Sequence, residues 1–142
     1  ERFEAVVAYL KSLEPQPSPY RNRDGSLTAS ARRGRRLFHS EKAGCSRCHP
    51  APLYTDRERH DVGTRAPFDQ GSAFDTPSLI ELYRTAPYLH DGSAATLRDV
   101  LTTENPDDEH GTTSHLTDRQ IHGLVQYMLS LDRVGPQQIA DN

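Results

Sequence analysis

Cys45-Ser46-Arg47-Cys48-His49 uses both cysteines of the chain, and no other stretch constrains the fold as much. A C-x-x-C-H run marks attachment of a c-type haem. Two thiols three positions apart on one turn reach the two vinyl groups along one porphyrin edge. The histidine that follows is carried under the iron, where its imidazole serves as proximal ligand. Competing chemistries fit less well. Structural zinc asks for four Cys or His ligands in two spaced pairs. There is no second C-x-x-C, although His110 and His115 leave a Cys2His2 set open. A thioredoxin-like pair would follow a strand in a βαβ pattern, and no strand run precedes Cys45. A disulfide across two residues would be strained and close only a tiny loop.

Composition supports a cofactor-centred fold. The 142 residues suffice for one compact domain. Only 34% are hydrophobic, ten are proline, nine are glycine and none is tryptophan. So polar a chain builds a large core with difficulty; one covalently bound haem adds an apolar plate for short helices to pack around. The formal charge is −3. No basic arm or aromatic-interleaved basic stripe appears, which argues against nucleic acid as a partner. No run approaches the ~20 apolar residues of a membrane span. Haem c is attached beyond the cytoplasmic membrane, so the motif implies a periplasmic or extracellular location.

Helical periodicity marks both ends of the chain. Phe3, Val6, Val7, Leu10 and Leu13 repeat at helical spacing over residues 1–14. Pro15, Pro17 and Pro19 then stop the helix, and 15–26 reads as an extended Pro-rich linker. The first helix echoes the last: Val6-Val7-Ala8-Tyr9-Leu10-Lys11-Ser12-Leu13 resembles Leu124-Val125-Gln126-Tyr127-Met128-Leu129-Ser130-Leu131. The echo predicts that residues 1–14 close a preceding, related domain.

The main domain spans 27–134. Thr28 or Ser30 caps a helix running to about Ser40, with Gly34, Leu37 and Phe38 on one face. Gly34 lets another helix cross closely there. Its natural partner is the C-terminal helix, with a Thr117/Gln120 capping box and a stripe of Ile121, Leu124, Val125, Met128 and Leu131. Gly135-Pro136 ends that helix, and 135–142 reads as a tail. Between them, Thr76-Pro77 predicts a short helix and Thr96 caps another carrying Leu97, Val100 and Leu101. No segment alternates as a strand. The expectation is an all-α fold with short helices and long loops around one haem.

The order of helix, C-x-x-C-H, loops, short helices and terminal helix resembles a class I cytochrome c domain. Thr76-Pro77-Ser78-Leu79 and the run Thr85-Ala86-Pro87-Tyr88-Leu89-His90-Asp91-Gly92-Ser93-Ala94-Ala95-Thr96-Leu97 are similar to a narrower group. They resemble the C-terminal, electron-transferring domain of the bacterial di-haem cytochrome c peroxidase and methylamine-utilisation di-haem enzyme family. The likeness covers about residues 27–132. It implies electron transfer through one haem as a module of a larger protein, with a redox protein or a neighbouring haem domain as partner. The alternative it carries is the electron-donor domain of a di-haem peroxidase or oxidase acting on peroxide. It also implies a place for His90 near a haem propionate, with Arg65, Arg84 and Tyr88 as further propionate partners.

The chain departs from the family at the second iron ligand. There a Met or Tyr follows the His-Asp-Gly motif by about fourteen residues; the matching position here is Glu104. His110, in the polar turn before Gly111, is the first choice for this ligand. His115, Met128 and an open position are the alternatives, with Met128 read as a core residue. His39, His60 and His122 read as surface or helix-face residues. Calcium at Asp107-Asp108-Glu109 is not expected, since EF-hand spacing is missing and the cluster reads as solvated charge. For His49, a hydrogen bond to the carbonyl of Pro50 or a residue close behind is expected.

Overall fold

A computed structural model of the chain describes residues 2–13 and 16–132. Five helices set the frame: α1 (Arg2–Ser12), α2 (Ala29–Phe38), α3 (Cys45–Cys48), α4 (Leu97–Leu101) and α5 (Asp118–Leu129). The fold is mostly helical with few strands.

Local chemistry explains where the helices begin. The Thr28 hydroxyl accepts from the Ala31 N–H at 3.1 Å and starts α2. Thr96 and Asp99 cap α4 reciprocally: the Thr96 N–H reaches Asp99 Oδ2 at 2.8 Å and the Asp99 N–H reaches Thr96 Oγ1 at 3.2 Å. Thr117 and Gln120 begin α5, with the Thr117 N–H on Gln120 Oε1 at 2.9 Å.

The core forms where α2 crosses α5. Ala31, Gly34 and Phe38 are buried on α2, against Ile121, Gly123, Leu124, Tyr127 and Met128 on α5. Leu79, Leu82, Leu97 and Leu101 complete the cluster. Phe38 packs edge-on against Tyr54 and Tyr127, with ring centres 5.9 and 5.3 Å away.

Three sequence expectations are corrected. First, the fold is not all-α: β1 (Arg59–Asp61) pairs antiparallel with β2 (Ala73–Asp75), placing His60 opposite Phe74. Second, no helix starts at Thr76-Pro77. The Thr76 N–H instead donates to the Glu58 carbonyl at 2.9 Å, prolonging the ribbon, and a single 3-10 turn forms later at Leu82–Arg84. Third, the Pro-rich segment is not a free linker. Ser18 donates from its N–H to Asp132 Oδ2 at 2.8 Å and from its hydroxyl to the Leu129 carbonyl at 2.7 Å. Arg21 adds an ion pair with Asp132 at 3.1 Å.

Helix α1 buries no residue; Phe3 is 80% exposed and Leu10 58%. Helix α5 ends at Leu129. The Gly135-Pro136 stop and the 135–142 tail lie outside the described residues. Among the described residues, no helix is long and apolar enough to cross a membrane.

Candidate cofactor site

The C-x-x-C-H run folds as predicted by its spacing. Gly44, at φ +74°, turns the chain into α3, the single helical turn Cys45–Cys48. Both thiols are free and partly buried. Burial pushes the Cys45 thiol up to about 11, and burial with nearby Asp56 raises Cys48, so both are neutral S–H groups at pH 7.

The His49 ring is held by the carbonyl of Tyr54, 2.9 Å from Nδ1. A carbonyl only accepts, so Nδ1 carries the proton and Nε2 keeps a lone pair. This is the tautomer a metal-ligating histidine needs. Burial pulls the ring's pKa down, which the carbonyls of Tyr54 and Pro77 partly oppose. The acceptor is a backbone carbonyl a few residues behind the motif, as expected; the residue is Tyr54 rather than Pro50.

His110 stands beside this ring. The two imidazole centres are 6.4 Å apart and the planes meet at 37°. The His110 Nδ1 is buried with no hydrogen-bond partner among the described residues. Burial, and after it the neighbouring His49, brings the His110 pKa down to about 4, so the ring is neutral at pH 7. The turn before it is built by the side chains of Asn105 and Asp108. Asn105, 4% exposed, accepts the His110 N–H at 2.8 Å. Asp108, at φ 59°, accepts the N–H groups of Thr113 and Ser114 at 2.7 and 2.9 Å. Asp108 is therefore a loop staple, not the solvated charge expected of the acidic cluster.

The other candidates are placed elsewhere. His115 is exposed, and Met128 lies in the hydrophobic core. His90 stacks on Phe74 with ring centres 3.7 Å apart and pairs through Nε2 with Asp69 at 2.8 Å. The Tyr88 hydroxyl donates to the Leu82 carbonyl at 2.8 Å. Arg84 pairs with Glu81 at 3.4 Å, and Arg65 reaches the Asp69 carbonyl at 3.5 Å. His60, expected as a plain surface residue, pairs with Asp56 at 2.7 Å, with Cys48 beside the pair. Asp56 and His60 are four apart across a turn and a strand, where no periodicity reveals the contact.

These residues fit a haem. With a metal–nitrogen bond of ~2.0–2.1 Å, two imidazoles on opposite sides of one metal ion have ring centres roughly 6.3 Å apart, against roughly 5 Å for two at a tetrahedral angle. The separation of His49 and His110 matches the former. The orphaned buried nitrogen of His110, the lone pair on His49 and two neutral thiols on the adjoining turn make a donor set for an iron porphyrin rather than for tetrahedral zinc.

No family model matches the chain. Over 172 aligned positions it is 35% identical to hydrazine synthase subunit gamma of Kuenenia stuttgartiensis, covering 92% of this chain and 49% of that one. It is 38% identical over 114 positions to the methylamine utilization protein MauG of Methylorubrum extorquens, covering 68% of this chain and 32% of the relative. A cytochrome-c peroxidase of Pseudomonas sp. is 27% identical over 150 positions, covering 71% and 39%. A solved structure of Kuenenia stuttgartiensis hydrazine synthase superposes with TM-score 0.80 at 34% identity, over 92% of this chain and 55% of that one. A MauG-like protein associated with microbial copper homeostasis shares the fold at TM-score 0.61 and 24% identity, over 79% and 49%. Motif, fold and relatives together define a cytochrome c-like protein. These relatives are members of the di-haem cytochrome c peroxidase-like family, and this chain is similar to them over most of its own length. It spans about half the length of the first of these relatives, and less of the others.

Proposed function

We propose that this chain is an electron-transfer module carrying one c-type haem, with Cys45 and Cys48 as thioether links and His49 and His110 as the two iron ligands. The observation that carries the reading is the His49–His110 pair, two neutral imidazoles at a spacing one iron fits, directly beside both cysteines.

The haem supplies a one-electron iron couple. The chain's own residues do the rest. The Tyr54 carbonyl holds the His49 ring and its proton, keeping Nε2 free to ligate. His110 would supply the second nitrogen ligand to a bound haem and so keep water and peroxide from that position. Two imidazoles donate strongly and favour the ferric form, giving a low potential. The fold is read as a class I cytochrome c domain modified by the β-ribbon. Arg65, Arg84, Tyr88 and His90 are proposed to border the propionates, each already tethered to a protein group.

The parent molecule is read as a larger periplasmic or extracellular oxidoreductase in which this module serves a second haem domain or a redox protein. Helix α1 supports that view. Its end repeats the end of α5: Ser12 Oγ donates to the Tyr9 carbonyl at 2.7 Å, as Ser130 Oγ does to the Tyr127 carbonyl at 2.6 Å. The apolar face that α5 buries is exposed on α1. An upstream domain of the same kind would cover it.

Pyridine haemochrome absorption and electron paramagnetic resonance of the ferric protein test the proposal. A haem c spectrum with low-spin, bis-imidazole signals and no peroxide turnover by this chain is expected. A high-spin ferric centre that consumes peroxide would overturn it and favour a peroxide-reactive site.

A further inference from the structure

We propose that Asn105 is the positioning residue that holds His110 on the iron and so sets how readily an outside ligand replaces it. This rests on the reading of His110 as an iron ligand.

The carboxamide of Asn105 binds the backbone of His110 at both ends. Its Oδ1 accepts the His110 N–H at 2.8 Å, and its Nδ2 donates to the His110 carbonyl at 3.3 Å and the Gly111 carbonyl at 2.9 Å. The other Nδ2 hydrogen goes to Thr113 Oγ1 at 2.9 Å, so the two carbonyls share one, with the longer contact to His110 as its weaker arm. That hydroxyl sends its own proton to the Leu101 carbonyl at 2.7 Å, so its oxygen can only accept from Asn105. The chain of donors fixes which way the amide faces. An aspartate has the same shape but would aim an oxygen at two carbonyls.

The other side of the turn is pinned to the haem-attachment segment. The Thr112 N–H donates to the Ala43 carbonyl at 3.1 Å, two residues before Cys45. Gly111 sits at φ +75°, where a Cβ would lie 3.0 Å from that carbonyl. His110 is thus clamped between Asn105 and the residues leading into α3. Among the described residues the ring has no hydrogen bond at Nδ1, so the hydrogen bonds that position this residue are those on its backbone.

A buried amide in the loop that follows α4 has a plainer role as a loop closer, and the test separates the two. Carbon monoxide binds a reduced bis-imidazole haem only when one imidazole leaves, so its combination rate reports how long His110 stays. Asn105→Asp and Asn105→Ala in the haem-loaded chain should raise that rate ~10-fold or more, the loss of one or two net hydrogen bonds on the ligand's backbone. Asp108→Ala removes hydrogen bonds from the same loop that do not touch His110; it should lower the melting temperature and leave the rate within about twofold of the parent, inside the spread of a few tenths of a kcal/mol. If neither Asn105 variant folds, Thr113→Val, which frees the amide's orientation, should give a smaller rise in rate. Parent-like rates in every folded Asn105 and Thr113 variant, or an equal rise in Asp108→Ala, would overturn the proposal. His110→Ala keeps the two readings apart. If it stays low-spin, the ligand assignment fails; if it turns high-spin while the Asn105 variants bind carbon monoxide at the parent rate, only the role of Asn105 fails.

Discussion

Gly34 and Gly123 meet backbone to backbone where α2 crosses α5. A Cβ on Gly34 would stand 1.9 Å from the Gly123 carbonyl oxygen and 2.8 Å from the Leu124 nitrogen. Both are backbone atoms that cannot swing aside, so the helices must move apart to admit a methyl group. Gly34→Ala should therefore cost ~3 kcal/mol, at the upper end for an overpacked core. The reverse position is easier. A Cβ on Gly123 would meet Gly34 N at 3.3 Å and the Ser30 carbonyl at 3.4 Å, a misfit of a few tenths of an ångström. Alanine also gains about 1 kcal/mol of helix propensity over glycine. Gly123→Ala should stay within about 1 kcal/mol of the parent by that offset. Denaturant titration of the two variants checks the asymmetry; equal losses would place the crossing elsewhere.

Acid should act on His110. Burial brings its pKa down to about 4, against ~6.5 for an unfolded imidazole. The folded pKa is the lower one, so the unfolded chain binds the proton first. Stability from this group is present above pH ~6.5, falls as the pH drops from there toward about 4, and levels off below. His49, depressed by its own burial, acts in the same direction. Melting temperature of the haem-free chain followed over about pH 3–8 checks the linkage, and a stability that does not fall below pH ~6.5 would contradict it.

Asp132 should anchor the segment before α2. Its side chain is fully buried, while that of its partner Arg21 is 15% exposed, and it accepts the Ser18 N–H. Removing one member of a buried ion pair strands the other charge. Asp132→Ala should cost ~3 kcal/mol or more. Asp132→Asn keeps the shape and an acceptor for Ser18 and should cost less. Chemical denaturation of both variants tests the order; an Asn variant as damaged as the Ala variant would mean that charge, not shape and hydrogen bonding, is what the site needs.

Sequence disclosed the parts of the fold whose signal is local. Thr28, Thr96 and Thr117 announce helix starts because capping is read within three residues. Gly34 announces the crossing because a close approach at a regular helical position leaves few alternatives. Cys45, Cys48 and His49 state their own geometry. The ribbon was invisible because β1 and β2 have three residues each, too few for alternation to show. Thr76-Pro77 looked like a helix start, yet the Thr76 N–H is taken by the carbonyl of Glu58, eighteen residues earlier and brought close only by the ribbon. Asp132 and Ser18 are 114 residues apart, and no pattern links them. Asn105 gave no signal because its partners, His110, Gly111 and Thr113, lie in a loop whose path the sequence leaves open. His110, proposed as the second iron ligand, lies in the same loop, and its sequence context left His115, Met128 and an open position as alternatives.

Tyr54 and Tyr127 should depend on each other. Their hydroxyls are 3.0 Å apart, and the Tyr127 hydroxyl also meets His39 Nε2 at 3.2 Å. Burial, with Tyr54 close by, raises the Tyr127 phenol above its usual range, so it remains protonated. Tyr127→Phe removes both hydrogen bonds and leaves the Tyr54 hydroxyl buried without this partner, for a loss of ~1–2 kcal/mol. Tyr54→Phe breaks only the shared bond and leaves Tyr127 with His39, so it should cost less, ~1 kcal/mol. The ring packing around Phe38 survives in both. In the double variant neither hydroxyl remains to be stranded, and its loss should fall short of the sum by ~0.5–1 kcal/mol. A double-mutant cycle in denaturant measures this coupling, and strict additivity would mean that the two hydroxyls do not share a bond in solution.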